Sequence, residues 1–237
     1  MEQRLIRVGI IGAGGYGGCG AVELLIRHSG AELAALIDTQ DTGKAMSDLY
    51  PHLKGFCDLT IMAPDDPDRP DDLDAVFFAT PDGVGQSEAR AWLERGVKVI
   101  DYSGDFRFDA PDVYSGYASR IGRSPEHASP GLLQETVYGL AELHRRDIAG
   151  ARLVGNPGCF AVSCILGLAP AVETGLVEPD TIICDAKTGV SGAGKKPSPT
   201  FHFPARYEAM NAYKVSGHQH VYEIGRELGL LAGRDLT

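Results

Sequence analysis

The segment Gly12-Ala13-Gly14-Gly15-Tyr16-Gly17 constrains this chain more than any other. It satisfies G-x-G-x-x-G, follows the apolar run Leu5–Ile11 and leads into a helical pattern through Val22, Leu25 and Ile26. Glycines at such a turn let backbone N–H groups approach a pyrophosphate at the start of a helix. In that context the segment reads as a dinucleotide-binding turn, with a tight βα turn lacking any ligand as the alternative. Leu33–Ile37 is a second strand candidate, and strand–turn–helix–strand opens a parallel α/β sheet. Asp38 ends that strand about twenty residues beyond the last glycine, where a carboxylate accepts from a ribose 2′-hydroxyl and repels a 2′-phosphate. By that rule NAD is favoured over NADP. Lys44 is placed to offset the preference by approaching a 2′-phosphate, or is simply a solvated lysine.

The pattern continues through Ala75–Ala79 as a strand, Gln86–Gly96 as a helix, Val97–Tyr102 as a strand and Arg152–Val154 as a last strand. The acidic, proline-bearing stretch Asp65–Asp74 reads as an exposed loop. After Asn156 the character changes. Cys159–Ala169 reads as a helix, and Asp180–Lys187 as a strand running into Gly189–Gly194. Val221, Ile224, Leu228 and Leu231 mark a final helix. The expected fold is therefore α/β: a doubly wound parallel sheet over residues 1–155, then a second, short α+β region over residues 156–237. A net charge of −10 argues against nucleic acid or an anionic membrane surface as partner. No apolar run approaches the roughly 20 residues a bilayer requires. The five cysteines show no pairing pattern, which fits a reducing compartment. A soluble, cytoplasmic protein is expected.

Val154-Gly155-Asn156-Pro157-Gly158-Cys159 places a cysteine where a helix begins. Unpaired N–H groups and the helix dipole at that end favour thiolate, the better nucleophile, over thiol; a small helix-start packing residue is the alternative. Cys19 and Cys164 fall in helical patterns and Cys184 in a strand pattern, so these read as packing residues; Cys57 has no readable role. His218-Gln219-His220 opens the final helical pattern and offers an acid/base partner for a cysteine remote in sequence. H-x-H is also a metal-ligand spacing, but no compact set of further ligands accompanies it, and no metal is expected. Gly189-Val190-Ser191-Gly192-Ala193-Gly194-Lys195 matches the start of an ATPase phosphate loop. Lys196 replaces the hydroxyl that would hold magnesium, and Pro197 and Pro199 block the following helix. The loop remains suited to an anionic substrate group or a cofactor amide.

Taken together, several ordered pieces resemble N-acetyl-γ-glutamyl-phosphate reductases, the arginine-biosynthesis relatives of aspartate-semialdehyde dehydrogenase. They are Gly12–Gly17, Gly43-Lys44, Ser47–Gly55, Asp74–Pro81, Ser103-Gly104-Asp105-Phe106-Arg107, Tyr138-Gly139-Leu140, Asn156–Cys159, Ser191–Gly194 and His218-Gln219-His220. The resemblance implies a Rossmann domain followed by a catalytic domain, NADP as cofactor, an acyl phosphate as small-molecule substrate, and a homo-oligomer (dimer or tetramer). It implies Cys159 as nucleophile and His220, or else His218, as acid/base. Arg107, Asn156 and Lys195 are the implied substrate contacts, and Ser191, Gly192 and Gly194 the implied contacts to the cofactor. Asp38 departs from the NADP preference, so NAD stays open. The family is longer than this chain, so the second domain is expected to be incomplete. Alternatives are a non-catalytic dinucleotide-binding fragment or sensor, or a reductase of a carrier-protein-linked acyl phosphate in lysine biosynthesis. Such carriers are acidic, and a net charge of −10 opposes docking one.

Overall fold

The computed structural model describes residues 4–215 and 217–236. The opening unit is β1 (Ile6–Ile11), α1 (Tyr16–Leu25) and β2 (Ala31–Ile37). It is followed by α2 (Met46–Leu49), a 3-10 turn at Pro51–Leu53, β3 (Ile61–Met62), β4 (Ala75–Phe78), α3 (Val84–Glu94) and β5 (Lys98–Asp101). Then come α4 (Pro111–Arg120), β6 (Thr136–Tyr138), α5 (Ala141–Gly150), β7 (Leu153–Gly155) and α6 (Cys159–Glu173). The chain closes with α7 (Phe203–Arg206) and α8 (Val221–Ala232).

The strands form one seven-stranded sheet in the order β3-β2-β1-β4-β5-β7-β6, with every pairing parallel. Alternate side chains of each central strand enter opposite layers, as the pleat requires. Ile11, Ile37, Val76, Phe78 and Val99 pack on one face with Trp92 and Leu93 of α3 and Tyr114 and Tyr117 of α4. Ile10, Leu36 and Ile61 pack on the other with Cys19 and Val22 of α1, Met46, Leu53 and Cys57. The order runs outward from β1 to β2 on one side and to β4 on the other. A crevice therefore opens at the carboxyl ends of β1 and β4, where the crossovers diverge. Gly12 stands at its mouth with φ +83, and a Cβ there would lie 2.5 Å from the Ala79 carbonyl oxygen. Both the conformation and the space exclude an L side chain.

Leu153 and Val154 lie in β7, the last strand of the sheet in chain order, which sits between β5 and β6; two other expectations need correction. The edge strand β6 has three residues, too few to display alternation in sequence. Asp180–Lys187 forms no strand: Pro179–Thr181 is a 3-10 turn, the rest is irregular, and Ile183 is 92% exposed. A strand takes its hydrogen bonds from a neighbour, and no described strand pairs with this stretch. Cys184, expected in that strand, is exposed. In α8, the apolar positions do not define the buried face. Val221 is exposed, and Glu223 and Glu227 are buried beside Leu228. No helix among the described residues is long and apolar enough to cross a membrane.

Candidate active site

The carboxyl edge of the sheet carries two groups of the expected residues. The first surrounds the glycine turn. Gly15 precedes α1 and no side chain caps that helix, so the first-turn N–H groups have no intrahelical acceptor. Asp38 Oδ2 accepts from Gly14 N–H at 2.9 Å and Oδ1 from Gln40 N–H at 3.0 Å. Both Asp38 oxygens are thus engaged by backbone N–H groups. The Tyr50 hydroxyl donates to the Gly14 carbonyl at 3.0 Å, holding the segment after α2 across the turn. Tyr16 is exposed. Lys44 Nζ lies 2.8 Å from Asp41 Oδ1, and Lys195 Nζ lies 3.1 Å from Asp41 Oδ2.

Lys195 therefore stands beside the glycine turn, within 3.6 Å of where a Gly14 Cβ would be. The preceding 3-10 turn Val190–Ala193 brings Ser191 and Gly192 to an exposed position, and Gly194 follows with φ +82.

The second group is built on the start of α6. Cys159 is exposed at the first helical position, after Gly158. Glu223 Oε2 accepts from Gly158 N–H at 2.8 Å and from the Tyr138 hydroxyl at 2.8 Å. Its Oε1 accepts from Arg107 Nη1 at 3.0 Å. Glu223 is only 1% exposed, so one buried carboxylate joins α8, β6 and the residue preceding the cysteine. One turn on, buried Glu227 meets His144 of α5 at 2.6 Å. His220 packs directly on Gly158: a Cβ there would lie 2.3 Å from His220 Nε2. His218 and His220 rings are 4.6 Å apart, with Phe160 edge-on to both. His218 Nδ1 accepts from the His220 N–H at 3.2 Å. His220 Nδ1 is buried without a hydrogen-bond partner among the described residues.

Arg107, expected to contact the substrate, is buried among protein acceptors. Its guanidinium is buried and donates to Glu223, to the Asn156 carbonyl at 2.9 Å and to the Tyr102 carbonyl at 2.8 Å. So engaged, it ties the Tyr102 and Asn156 carbonyls to the buried Glu223 carboxylate. The same element places Asp105 as acceptor for Gly83 N–H and Gln86 N–H, the start of α3. The motif Ser103–Arg107 is thus built into the scaffold. Tyr102 links the two groups, since its ring lies 3.5 Å from where a Gly17 Cβ would be while its carbonyl receives Arg107. Asn156 is half-buried and its side chain approaches the Pro157 carbonyl at 3.3 Å. Sequence reasoning missed Glu223, although it stands three residues beyond His220.

Burial pushes the Asp101 carboxyl up to about 7, whereas burial and then Arg107 push His220 down to about 3. Asp101 keeps its proton in the native state above the ordinary carboxylate range, so it makes stability fall as pH rises towards 7. His220 stays neutral below the ordinary imidazole range, so it makes stability fall as pH drops from about 6.5 towards 3. Replacing Asp101 by Asn should remove the first slope. Between about pH 5 and pH 8 the variant should gain about 2 kcal/mol relative to the parent chain. Urea unfolding at both pH values checks this; parallel curves would mean that Asp101 titrates as an ordinary carboxylate.

A glycine turn at the switch point of a doubly wound sheet is the architecture of dinucleotide-binding α/β proteins. The family described as "Semialdehyde dehydrogenase, NAD binding domain" matches residues 7–151, and "Semialdehyde dehydrogenase, dimerisation domain" matches residues 159–237. The chain belongs to the semialdehyde dehydrogenase family. It is similar to the N-acetyl-gamma-glutamyl-phosphate reductase of Desulforudis audaxviator, at 44% identity over 98% of this chain and 66% of that protein. Similar proteins of the same name come from Bacillus thuringiensis (42%, covering 94% of this chain and 63% of the relative) and Thiobacillus denitrificans (41%, 97% and 65%). The chain thus spans 63–66% of the length of these curated relatives. Among solved structures, aspartate semialdehyde dehydrogenase II of Vibrio cholerae shares the fold, with TM-score 0.51 and 20% identity over 72% of this chain and 43% of that one. The same enzyme complexed with ASA gives TM-score 0.50 and 19% identity, covering 71% and 47%.

Proposed function

We propose that this chain carries the cofactor-binding part and the nucleophile of an NADPH-dependent acyl-phosphate reductase. The reaction is reduction of N-acetylglutamyl 5-phosphate to N-acetylglutamate 5-semialdehyde with release of phosphate, in arginine biosynthesis. The observation that carries this reading is the exposed Cys159 at the start of α6, directly after Gly158, on which the buried neutral His220 packs. The names of the relatives supply the substrate.

Cys159 Sγ attacks the acyl carbonyl, the C–O bond to phosphate breaks, and a thioester forms with phosphate as leaving group. The glycine turn fits a dinucleotide, because Gly12 lets the turn pass close to the Ala79 backbone and no side-chain hydrogen bond caps the start of α1. When bound, the reduced nicotinamide supplies the hydride that reduces the thioester. As the aldehyde is released, the sulfur regains its electron pair. His220, neutral at rest, passes a proton between the sulfur and the developing oxyanion. His218 packs edge-on against that ring at 4.6 Å, its own Nδ1 accepting from the His220 backbone N–H.

NADP rather than NAD is supported by two features. Asp38 is occupied by the Gly14 and Gln40 N–H groups, and Lys44 and Lys195 converge on Asp41 beside it. The chain is further proposed to act as a cytoplasmic homo-oligomer, assembled through residues 159–237. That region leaves Phe203, Met210 and Val215 exposed.

The assay is run in the reverse direction with purified chain, N-acetylglutamate semialdehyde, phosphate and either NADP or NAD. Nicotinamide reduction that requires phosphate and prefers NADP is expected. Dinucleotide binding without any phosphate-dependent reduction would instead support the non-catalytic reading.

A further inference from the structure

Cys19 and Glu23 stand four residues apart on α1 and so share one face of the helix. His52, from the 3-10 turn Pro51–Leu53, closes on the same point. Its Nε2 lies 2.6 Å from Glu23 Oε1, and Cys19 Sγ lies 3.9 Å from the same oxygen. The sulfur, carboxylate and imidazole donors all lie within 4.8 Å of one another. Cys19 is buried against the layer of Val22, Leu53 and Cys57, whereas Glu23 and His52 open to solvent. One side of the cluster is therefore closed by apolar packing and the other accessible.

We propose that Cys19, Glu23 and His52 bind a divalent cation of borderline softness, zinc by donor chemistry, with water in the fourth position. The site is separate from Cys159 and from the histidine pair, and does not depend on the reaction proposed above. A thiolate, an imidazole and a carboxylate suit zinc, whereas magnesium and calcium take oxygen donors throughout. Tetrahedral zinc spaces such donors by about 3.3–3.6 Å. The sulfur–oxygen distance needs to shrink slightly and the nitrogen–oxygen distance to open, both within the reach of side-chain rotation. The Cys19 thiol proton leaves to solvent as the metal–sulfur bond forms. His52 binds through Nε2, with its remaining proton on Nδ1.

Without a cation, burial and Glu23 push the Cys19 thiol up to about 11, so it is inert in that state. The cation would clamp α1 to the turn that follows Tyr50, whose hydroxyl holds the Gly14 carbonyl. Sequence reading assigned Cys19 to packing. The three residues come together only when the loop after α2 folds back over α1.

The test uses the metal-free full chain titrated with cobalt(II), then displaced by zinc. The expected result is a single equivalent of bound cobalt with thiolate-to-cobalt charge-transfer absorption, lost on adding zinc. The band should vanish in Cys19→Ser and persist in Cys159→Ser and Cys57→Ser. His52→Ala, at an exposed position that need not affect folding, should weaken zinc binding at least about tenfold. If Cys19→Ser fails to fold, His52→Ala alone decides, and unchanged affinity there overturns the site. So does the absence of a thiolate band, or its loss in Cys159→Ser.

Discussion

Cys159→Ser should lower turnover by at least about 10⁴-fold while leaving dinucleotide binding intact. A serine hydroxyl at this position is both far less acidic and a poorer leaving group than a thiol. The glycine turn belongs to β1 and α1, on a different part of the sheet edge, so nucleotide affinity has no reason to follow. Because Cys159 is exposed, the substitution removes no core packing, and the urea midpoint should stay unchanged. Steady-state assays with fluorescence titration of NADPH separate these quantities. Turnover within tenfold of the parent would exclude the sulfur as nucleophile.

The second large effect is on stability. Glu223→Ala should cost about 3–5 kcal/mol, because it leaves the buried Arg107 guanidinium without its countercharge. It also orphans the Tyr138 hydroxyl and the Gly158 N–H. Glu223→Gln keeps an acceptor for part of this network and should cost less. Urea unfolding of the two variants provides the measurement. A loss below about 1 kcal/mol for Glu223→Ala would show that the network is not a structural centre. The link between stability and chemistry is direct here, since the same carboxylate fixes the backbone immediately before Cys159.

The first half of the fold was legible because it obeys local rules. A strand ending in G-x-G-x-x-G, a helical repeat and a second apolar run can pack in few other ways, and β1, α1 and β2 follow that reading. Cys159 was legible for a related reason: a glycine and a proline mark where a helix begins. The short strands β3 and β6 and the helix α5, which buries no residue, carry too little periodic signal. Glu223 and Arg107 could not be paired from sequence because they lie 116 positions apart. A carboxylate on a helix also reads as solvated until its partners are placed. The strand expected at Asp180–Lys187 shows the opposite limit. Its residues favour extended backbone, but the ladder that would hold a strand depends on a neighbour outside the segment.

The most direct measurement of the central claim mixes the chain with N-acetylglutamyl phosphate in the absence of nucleotide, followed by mass spectrometry of the digested protein. The account predicts one N-acetylglutamyl group, attached to the peptide containing Cys159, removed by hydroxylamine and absent from Cys159→Ser. An acyl group on another residue, or phosphate-dependent turnover with no acylated intermediate at Cys159, would contradict it.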